Sequence, residues 1–349
     1  IRLKVPMHGR TAFDDAVYGI QERNYDDTED LVLLRSDGHP LYNLAVVCDD
    51  IEMGITHVIR GQDHLTNTHK QVLIYEALGV TPPTFAHLPL IMAPNKGKLS
   101  KRKHGEVVSM TTYRDAGFLA AAFRNFLALL GWSAGEEQEI YSLDELIAKF
   151  SLEGIHRSNA VFNFHESDPR KWTDDKAIWM NAEYIRTMPF DDLLPFIKPE
   201  LKAAKLWRDE YDDDDKAWFE NTVNLIRQRF FTLKDFSNQG RAYFSEDFDF
   251  DPAAIEKNLS KYPDLKTWLP ELADRFEAEF ADKPYSEENI EIVVKAFTEE
   301  KGTKLGVIMN GARTLLTGVA VGPSMLSVFE TIGLERTILR LRSRVAWNE

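Results

Sequence analysis

Between Leu31 and Met92 apolar runs alternate with amphipathic stretches, and that alternation restricts the possible folds more than any other feature of the sequence. Leu31-Val32-Leu33-Leu34 reads as a buried strand closed by the turn Ser36-Asp37-Gly38. Pro40 can open a helix, because a missing N–H costs nothing in the first turn. Leu44, Val47, Cys48 and Ile51 then form an apolar stripe, and Gly54 ends the helix in a left-handed cap position. The spacing predicts a second strand over Thr56–Ile59, ending at Arg60-Gly61, and a second helix from about Asn67 to Gly79. Pro82-Pro83 breaks the chain, and Ala86–Met92 reads as a third strand. The pattern is β-α-β-α-β, half of a doubly wound parallel sheet.

Past this region the periodicity turns helical. Leu119, Ala122, Phe123, Phe126, Leu127 and Leu130 share one face, and Ser142 with Glu145 predicts a capping box before Leu146, Ile147 and Phe150. From Asp191 onward only helical periodicity and turns are visible, as in Ile290, Val293, Val294 and Phe297, or Leu334, Ile338, Leu341 and Val345. The fold class expected is α/β followed by all-α. The first thirty residues, with Pro6, Gly9 and Gly19, read as extended strands or loops of an interrupted domain.

With 349 residues the chain exceeds one ordinary core, so two or three domains are expected. One cysteine excludes a disulfide framework and a Cys-rich zinc site, which fits a reducing cytosol. No apolar run reaches the ~18 residues of a membrane span. The sequence starts at Ile1, so a piece of a longer, cytoplasmic protein is the expectation. Net charge is -14, with 20 basic and 26 acidic residues up to Phe190 and 22 and 30 after it. Totals do not decide nucleic-acid binding, because phosphate contacts depend on local patches. Basic charge does cluster, in Lys96, Lys98, Lys101, Arg102 and Lys103, and again in Arg336, Arg340, Arg342 and Arg344. Asp212–Asp215 is an acidic cluster that reads as a solvated loop or helix start.

Three groups of residues could carry chemistry. In open α/β sheets ligands bind beyond the carboxyl ends of strands, where Arg60-Gly61-Gln62-Asp63-His64 falls. An arginine there can grip a carboxylate or phosphate through two parallel hydrogen bonds, and the glycine lets the backbone approach a ligand. The plainer reading of Arg60 is a surface ion pair. Lys98-Leu99-Ser100-Lys101-Arg102 follows the third strand at the same edge, and two lysines three apart can stabilise charge developing on phosphates. An arbitrary basic loop is simply solvated; the placement after the strand strengthens the functional reading. Tyr42, at the start of the first helix, offers a hydroxyl for a polar ligand, or else a half-buried core ring. Cys48, on the apolar stripe, reads as core. No pair of histidines has the spacing of a helical zinc site, and no protein-bound zinc is expected.

Lys98-Leu99-Ser100-Lys101-Arg102 resembles the second signature loop of class I aminoacyl-tRNA synthetases. Leu33 to Gly38, Tyr42-Asn43, Val58 to His64, Phe85 to Ile91, Asn125 to Trp132 and Arg313 to Gly318 together resemble the bacterial glutamyl-tRNA synthetase family over nearly the whole chain. The resemblance implies glutamate activation with ATP and Mg2+ to glutamyl-adenylate, then transfer to the 3′ end of tRNA(Glu), by a monomer. It implies that Tyr42 and Arg60 contact glutamate, that Asp63 lies near the nucleotide, and that Lys98 to Arg102 hold ATP, with Lys98 and Lys101 on the phosphates. It also implies a division into the end of an acceptor-binding insertion (1–30), the second half of a Rossmann-like catalytic domain (31–104), a stem-contact region (105–190) and a helical anticodon-binding domain (191–349).

The sequence departs from the family at three places. The first signature, His-x-Gly-His, is only mimicked by Met7-His8-Gly9-Arg10, so the chain is expected to be the carboxyl two-thirds of the enzyme and inactive alone. Gln62 stands where an acid is common, and Glu166–Thr173 reads as an insertion. Rival readings are a non-catalytic tRNA-binding module and a cytidylyltransferase-like enzyme, the latter disfavoured by the long helical tail. A glutaminyl-tRNA synthetase would carry β-rich anticodon domains, and a shortened tRNA-modifying relative would lack the tail. Arg342 and Arg344 are the candidates for tRNA contacts, with a purely structural role equally open.

Overall fold

The computed structural model describes residues 1–164, 172–343 and 345–347. It forms two compact units, one of residues 1–112 and 120–177, the other of 113–119 and 178–349. Through residue 161 the strands are β1 (Arg2–Leu3), β2 (Arg10–Asp15), β3 (Gly19–Asn24), β4 (Leu31–Val32), β5 (His57–Gly61), β6 (Thr84–Leu88), β7 (Ile91–Met92) and β8 (Ala160–Val161). The helices are α1 (Tyr42–Glu52), α2 (Leu65–Leu78), α3 (Lys101–His104), α4 (Met110–Asp115), α5 (Ala120–Leu129) and α6 (Leu143–Lys149).

The first unit is organised by a four-stranded sheet of order β3-β2-β6-β5. β5 and β6 run parallel from His57↔Thr84 to Gly61↔Leu88, with α2 as the crossover between them. On the other side of β6, β2 pairs in parallel through Asp15↔Phe85 and forms an antiparallel hairpin with β3. Val47, Val72, Ile74, Tyr75 and Phe85 form the buried core against which Phe13, Leu33, Leu44, Ile51 and Val58 pack. Each such side chain contributes about 1.5–3 kcal/mol on burial, so this cluster fixes α1 and α2 against the sheet.

Several expectations shift. The run Leu31–Leu34 supplies no strand to the sheet: β4 is two residues long and pairs antiparallel with β1. The N–H groups of Leu33 and Leu34 go to Ile1 O, and Leu33 O accepts from Leu41 N, so this backbone is committed elsewhere. The sheet instead recruits β2, so its strands come from both sides of residue 30. Ala86–Met92 is interrupted at Pro89, which has no N–H to donate. β7 beyond it pairs in parallel with β8. α1 starts at Tyr42, because Pro40 is held in a bridge with Leu34. Cys48 is exposed, a correction to its reading as core. The face of α1 that meets the core is Leu44, Val47 and Ile51, and Cys48 falls at its solvent edge. The capping box at Ser142 and Glu145 forms as expected, with both reciprocal bonds present.

From Asp191 on, the described residues hold helices and turns and no strand. Helix Glu287–Glu300 buries Ile290, Val294 and Phe297. Gly318 ends helix Leu305–Thr317 with φ 74°, and a Cβ there would lie 2.2 Å from Asp249 O. Only glycine meets both demands at that position. The helix Leu334–Leu341 stops short of Val345, which is 65% exposed and lies outside the apolar face expected to include it.

Candidate active site

Arg60 is the fourth residue of β5, at the carboxyl edge of the parallel strands. Its Nη2 donates to Thr68 Oγ1 and Gln71 Oε1, each at 2.7 Å, and its Nε faces His87 Nε2 at 3.4 Å. The guanidinium carbon lies 5.8 Å from the centre of the Phe85 ring. Burial lowers the pKa of Arg60 against the opposing influence of Tyr42 and Asp50. Among the described residues no carboxylate forms an ion pair with it. The surface ion pair considered for Arg60 is therefore not what holds it; three neutral side chains do. Tyr42 opens α1 with its ring 6.4 Å from that of His64, and it borders an open cavity of about 390 Å³ with Asn43, Leu41 and Lys70.

Behind Arg60 lies a buried acid and base. Asp15 Oδ2 is 2.5 Å from His87 Nδ1, and both side chains are fully buried. Asp15 Oδ1 accepts from the backbone N–H groups of Val17 and Tyr18 at 3.0 Å and of His87 at 3.3 Å. Burial opposes the charge on Asp15, but these donors together hold its carboxyl below the ordinary value. Burial keeps His87 below its ordinary value in spite of Asp15. The pair is thus a carboxylate with a neutral imidazole.

Gly61 follows Arg60 at the end of β5. A Cβ on it would lie 2.6 Å from Asp63 Oδ1, so the missing side chain makes room for the Asp63 carboxylate. Asp63 Oδ2 in turn accepts from Lys98 Nζ at 2.5 Å, which holds the acid below its ordinary pKa. Lys98 reaches this point because residues 91–99 fold back on themselves: Ala93 N donates to Gly97 O at 2.8 Å, Leu99 N donates to Ile91 O at 2.9 Å, and Lys96 takes φ 62° at the tip. Ser100 is the extended residue before α3. His104 Nδ1 lies 3.1 Å from Ser100 N, closing the turn. Lys101, Arg102 and Lys103 stand exposed on α3 and form no ion pair among the described residues. The structure thus joins Asp63 to Lys98 and places Tyr42 beside Arg60, while Lys101 and Arg102 point out from the same loop.

A model of the class I tRNA synthetase (E and Q) catalytic domain matches residues 1–168, and an anticodon binding domain matches residues 190–345. A glutamate–tRNA ligase of Desulfotalea psychrophila is 46% identical over 98% of this chain and 69% of its own length. That of Koribacter versatilis is 45% identical over 98% of this chain and 68% of its own length. The chain belongs to the glutamate–tRNA ligase family. A crystal structure of a glutamate tRNA ligase from Elizabethkingia meningosepticum, in complex with its amino acid, superposes with a TM-score of 0.79 at 32% identity, over 97% of this chain and 66% of that one. The sequence thus spans about two thirds of the length of these relatives. ATP-dependent charging of tRNA is the reaction of this ligase family.

Two features of this ligase chain were not singled out in the sequence. Asp15, His87, Thr68 and Gln71 surround Arg60, yet in sequence they look like ordinary strand and helix residues. The one signal available was a pair of acids, Asp14-Asp15, at the end of an extended run. Gln62, where an acid is common in the family, accepts from Tyr18 Oη at 2.7 Å and donates to Asn159 Oδ1 at 2.5 Å. A carboxylate could do the first and not the second.

The carboxyl-terminal arginines among the described residues, Arg336, Arg340 and Arg342, are occupied. Arg340, 4% exposed, donates to Leu316 O, Ser245 O and both oxygens of Glu246. Arg336 shares Glu246. Arg342 Nη2 pairs with Asp274 at 2.6 Å and with Glu277. Arg344 and most of the inserted stretch Glu166–Thr173 lie outside the described residues.

Proposed function

We propose that this chain carries the glutamate site and part of the ATP site of a glutamate–tRNA ligase. Arg60 and Tyr42 bind the amino acid, Lys98 to Arg102 bind MgATP with Lys98 and Lys101 on its phosphates, and Asp63 stands beside the nucleotide. The observation that carries this reading is a half-buried guanidinium at the carboxyl end of a parallel strand, hydrogen-bonded by neutral groups and in no ion pair among the described residues, with Asp50 acting on it only from beyond contact. A desolvated cation of this kind has one charge still to be matched, and an amino-acid carboxylate matches it with charge-assisted bonds. Residues 105–190 contact the tRNA stem and 191–349 the anticodon of tRNA(Glu), the enzyme acting as a cytoplasmic monomer. Among the described residues no helix is long and apolar enough to cross a membrane, which accords with that location.

The test is glutamate-dependent ATP–pyrophosphate exchange by the complete ligase, compared between wild type and Arg60→Lys. Lysine keeps the charge and loses the planar fork, so the Michaelis constant for glutamate rises about tenfold or more, the scale of one hydrogen bond to a charged group. The melting temperature falls as well, because Thr68, Gln71 and His87 are buried and lose a donor, so the rise in the Michaelis constant is the deciding readout. Lowered melting with a normal Michaelis constant would return Arg60 to a structural role. Tight binding of tRNA(Glu) with no exchange at all would make the protein a tRNA-binding module.

A further inference from the structure

Arg60 has rotatable bonds to spare, and a clamp works only if the guanidinium is held still before the substrate arrives. Two of its partners, Thr68 and His87, also touch each other: Thr68 Oγ1 lies 3.0 Å from His87 Nε2. A carboxylate only accepts, so the 2.5 Å contact with Asp15 places the imidazole proton on Nδ1. Nε2 is then a lone pair facing the Arg60 Nε–H and the hydroxyl of Thr68, whose single proton can go to Nε2 or to His64 O, 3.2 Å away. The protons on Nδ1 of His87 and on Nε of Arg60 each have one consistent place. The order runs from the backbone N–H groups of Val17 and Tyr18 through Asp15 and His87 to Arg60.

We propose that Asp15, His87 and Thr68 are positioning residues of the glutamate site, with Asp15 fixing the imidazole tautomer that lets His87 and Thr68 hold the Arg60 guanidinium in its binding orientation. This rests on Arg60 as the glutamate clamp and adds the device that aims it. β2 and β6 are parallel neighbours at Asp15↔Phe85, so the sheet pairing itself brings the acid beside His87, two residues on. Both groups are fully buried and neither can reach a substrate, so their effect passes through Arg60.

The discriminating variant is Asp15→Asn in the complete ligase. Its amide can keep the backbone N–H bonds through the oxygen, but the NH2 now meets His87 Nδ1. The imidazole proton moves to Nε2, where it faces the Nε–H of Arg60, a group that can only donate. The Michaelis constant for glutamate should rise about tenfold or more, on the scale of one lost hydrogen bond to a charged group, with that for ATP hardly changed. Long-range 15N–1H correlation should show the proton on Nδ1 of His87 in the wild type and on Nε2 in the variant. If Asp15→Asn does not fold, Thr68→Val removes the hydroxyl at nearly constant shape; it should weaken glutamate binding, and Thr68→Ser should restore it. A reversed tautomer with an unchanged glutamate constant overturns the proposal, as does an equal loss for glutamate and ATP, or a neutral Thr68→Val. An unchanged constant in Arg60→Lys overturns the clamp itself, whatever Asp15→Asn does.

Discussion

Lys98 Nζ sits 2.5 Å from Asp63 Oδ2, so one of the two loop lysines assigned to phosphates is already bound to an acid. Both side chains are well exposed, and exposed pairs of this kind are weak and screened by salt. A nucleotide phosphate can take the lysine at small cost. Asp63→Asn should therefore lower the Michaelis constant for ATP by about twofold to fivefold, which is the exchange of one exposed ion pair. The gain should shrink as salt is raised. A raised constant would mean that the carboxylate itself touches the nucleotide.

Lys101 has no such partner among the described residues and stands exposed at the start of α3. If it meets the charge that develops on the phosphates, Lys101→Ala should slow activation by about 10²-fold or more, as loss of a preorganised electrostatic group does. Glutamate affinity should change far less. A near-normal rate of pyrophosphate exchange would leave α3 a solvated basic turn.

The sequence revealed the β5–α2–β6 unit because its signals are local: β-branched and aromatic runs, a left-handed Gly79 at the end of α2, and a proline break before β6. Register across the sheet is not local. Nothing around Leu31–Leu34 announces that its hydrogen bonds are spent on Ile1 and Leu41, or that β2 takes the place beside β6. The candidate site divides the same way. Tyr42, Arg60, Asp63 and Lys98 follow from position at strand and helix ends, while the contacts behind Arg60 depend on strand pairing that brings Asp15 to His87 across seventy-two residues. Cys48 was misread because a stripe defined by hydrophobicity alone is wider than the face that packing covers.

The Asp15–His87 pair also sets an acid limit on stability. His87 is held neutral with its pKa below the ordinary 6.5, so its contribution is complete above that value and is lost as pH falls from 6.5 towards the lower folded value. Asp15 lies below its ordinary 3.8, so its own contribution fails only in stronger acid. The charged or titratable groups around His87 are Asp15 from β2, Arg60 from β5 and His64 ahead of α2, and positive charge on Arg60 or His64 opposes a proton on the ring. Urea midpoints should be level between pH 8 and 7 and drop from about 6.5 downward, by at most ~1.4 kcal/mol per pH unit for this one proton. His87→Gln should flatten that drop. Equal acid loss in both proteins would place the sensitivity elsewhere, for example at buried His69.

Arg342 was a candidate for tRNA phosphates, and its surroundings now weigh on the other side. Its guanidinium is shared between Asp274 and Glu277 on helix Leu265–Glu279, the helix that packs against its own. A phosphate would have to displace two carboxylates and then sit beside them, in a unit whose residues from Asp191 on carry 22 basic and 30 acidic groups. Arg342→Gln should therefore leave the salt dependence of tRNA(Glu) binding unchanged, and should move the melting temperature little, because exposed ion pairs hold little stability. Filter binding across a series of salt concentrations measures this directly. A slope smaller by ~0.7–0.9 log units per log salt would be the loss of one phosphate contact. That result would show Asp274 and Glu277 to be occupants that the RNA displaces, and would make Arg342 part of the interface.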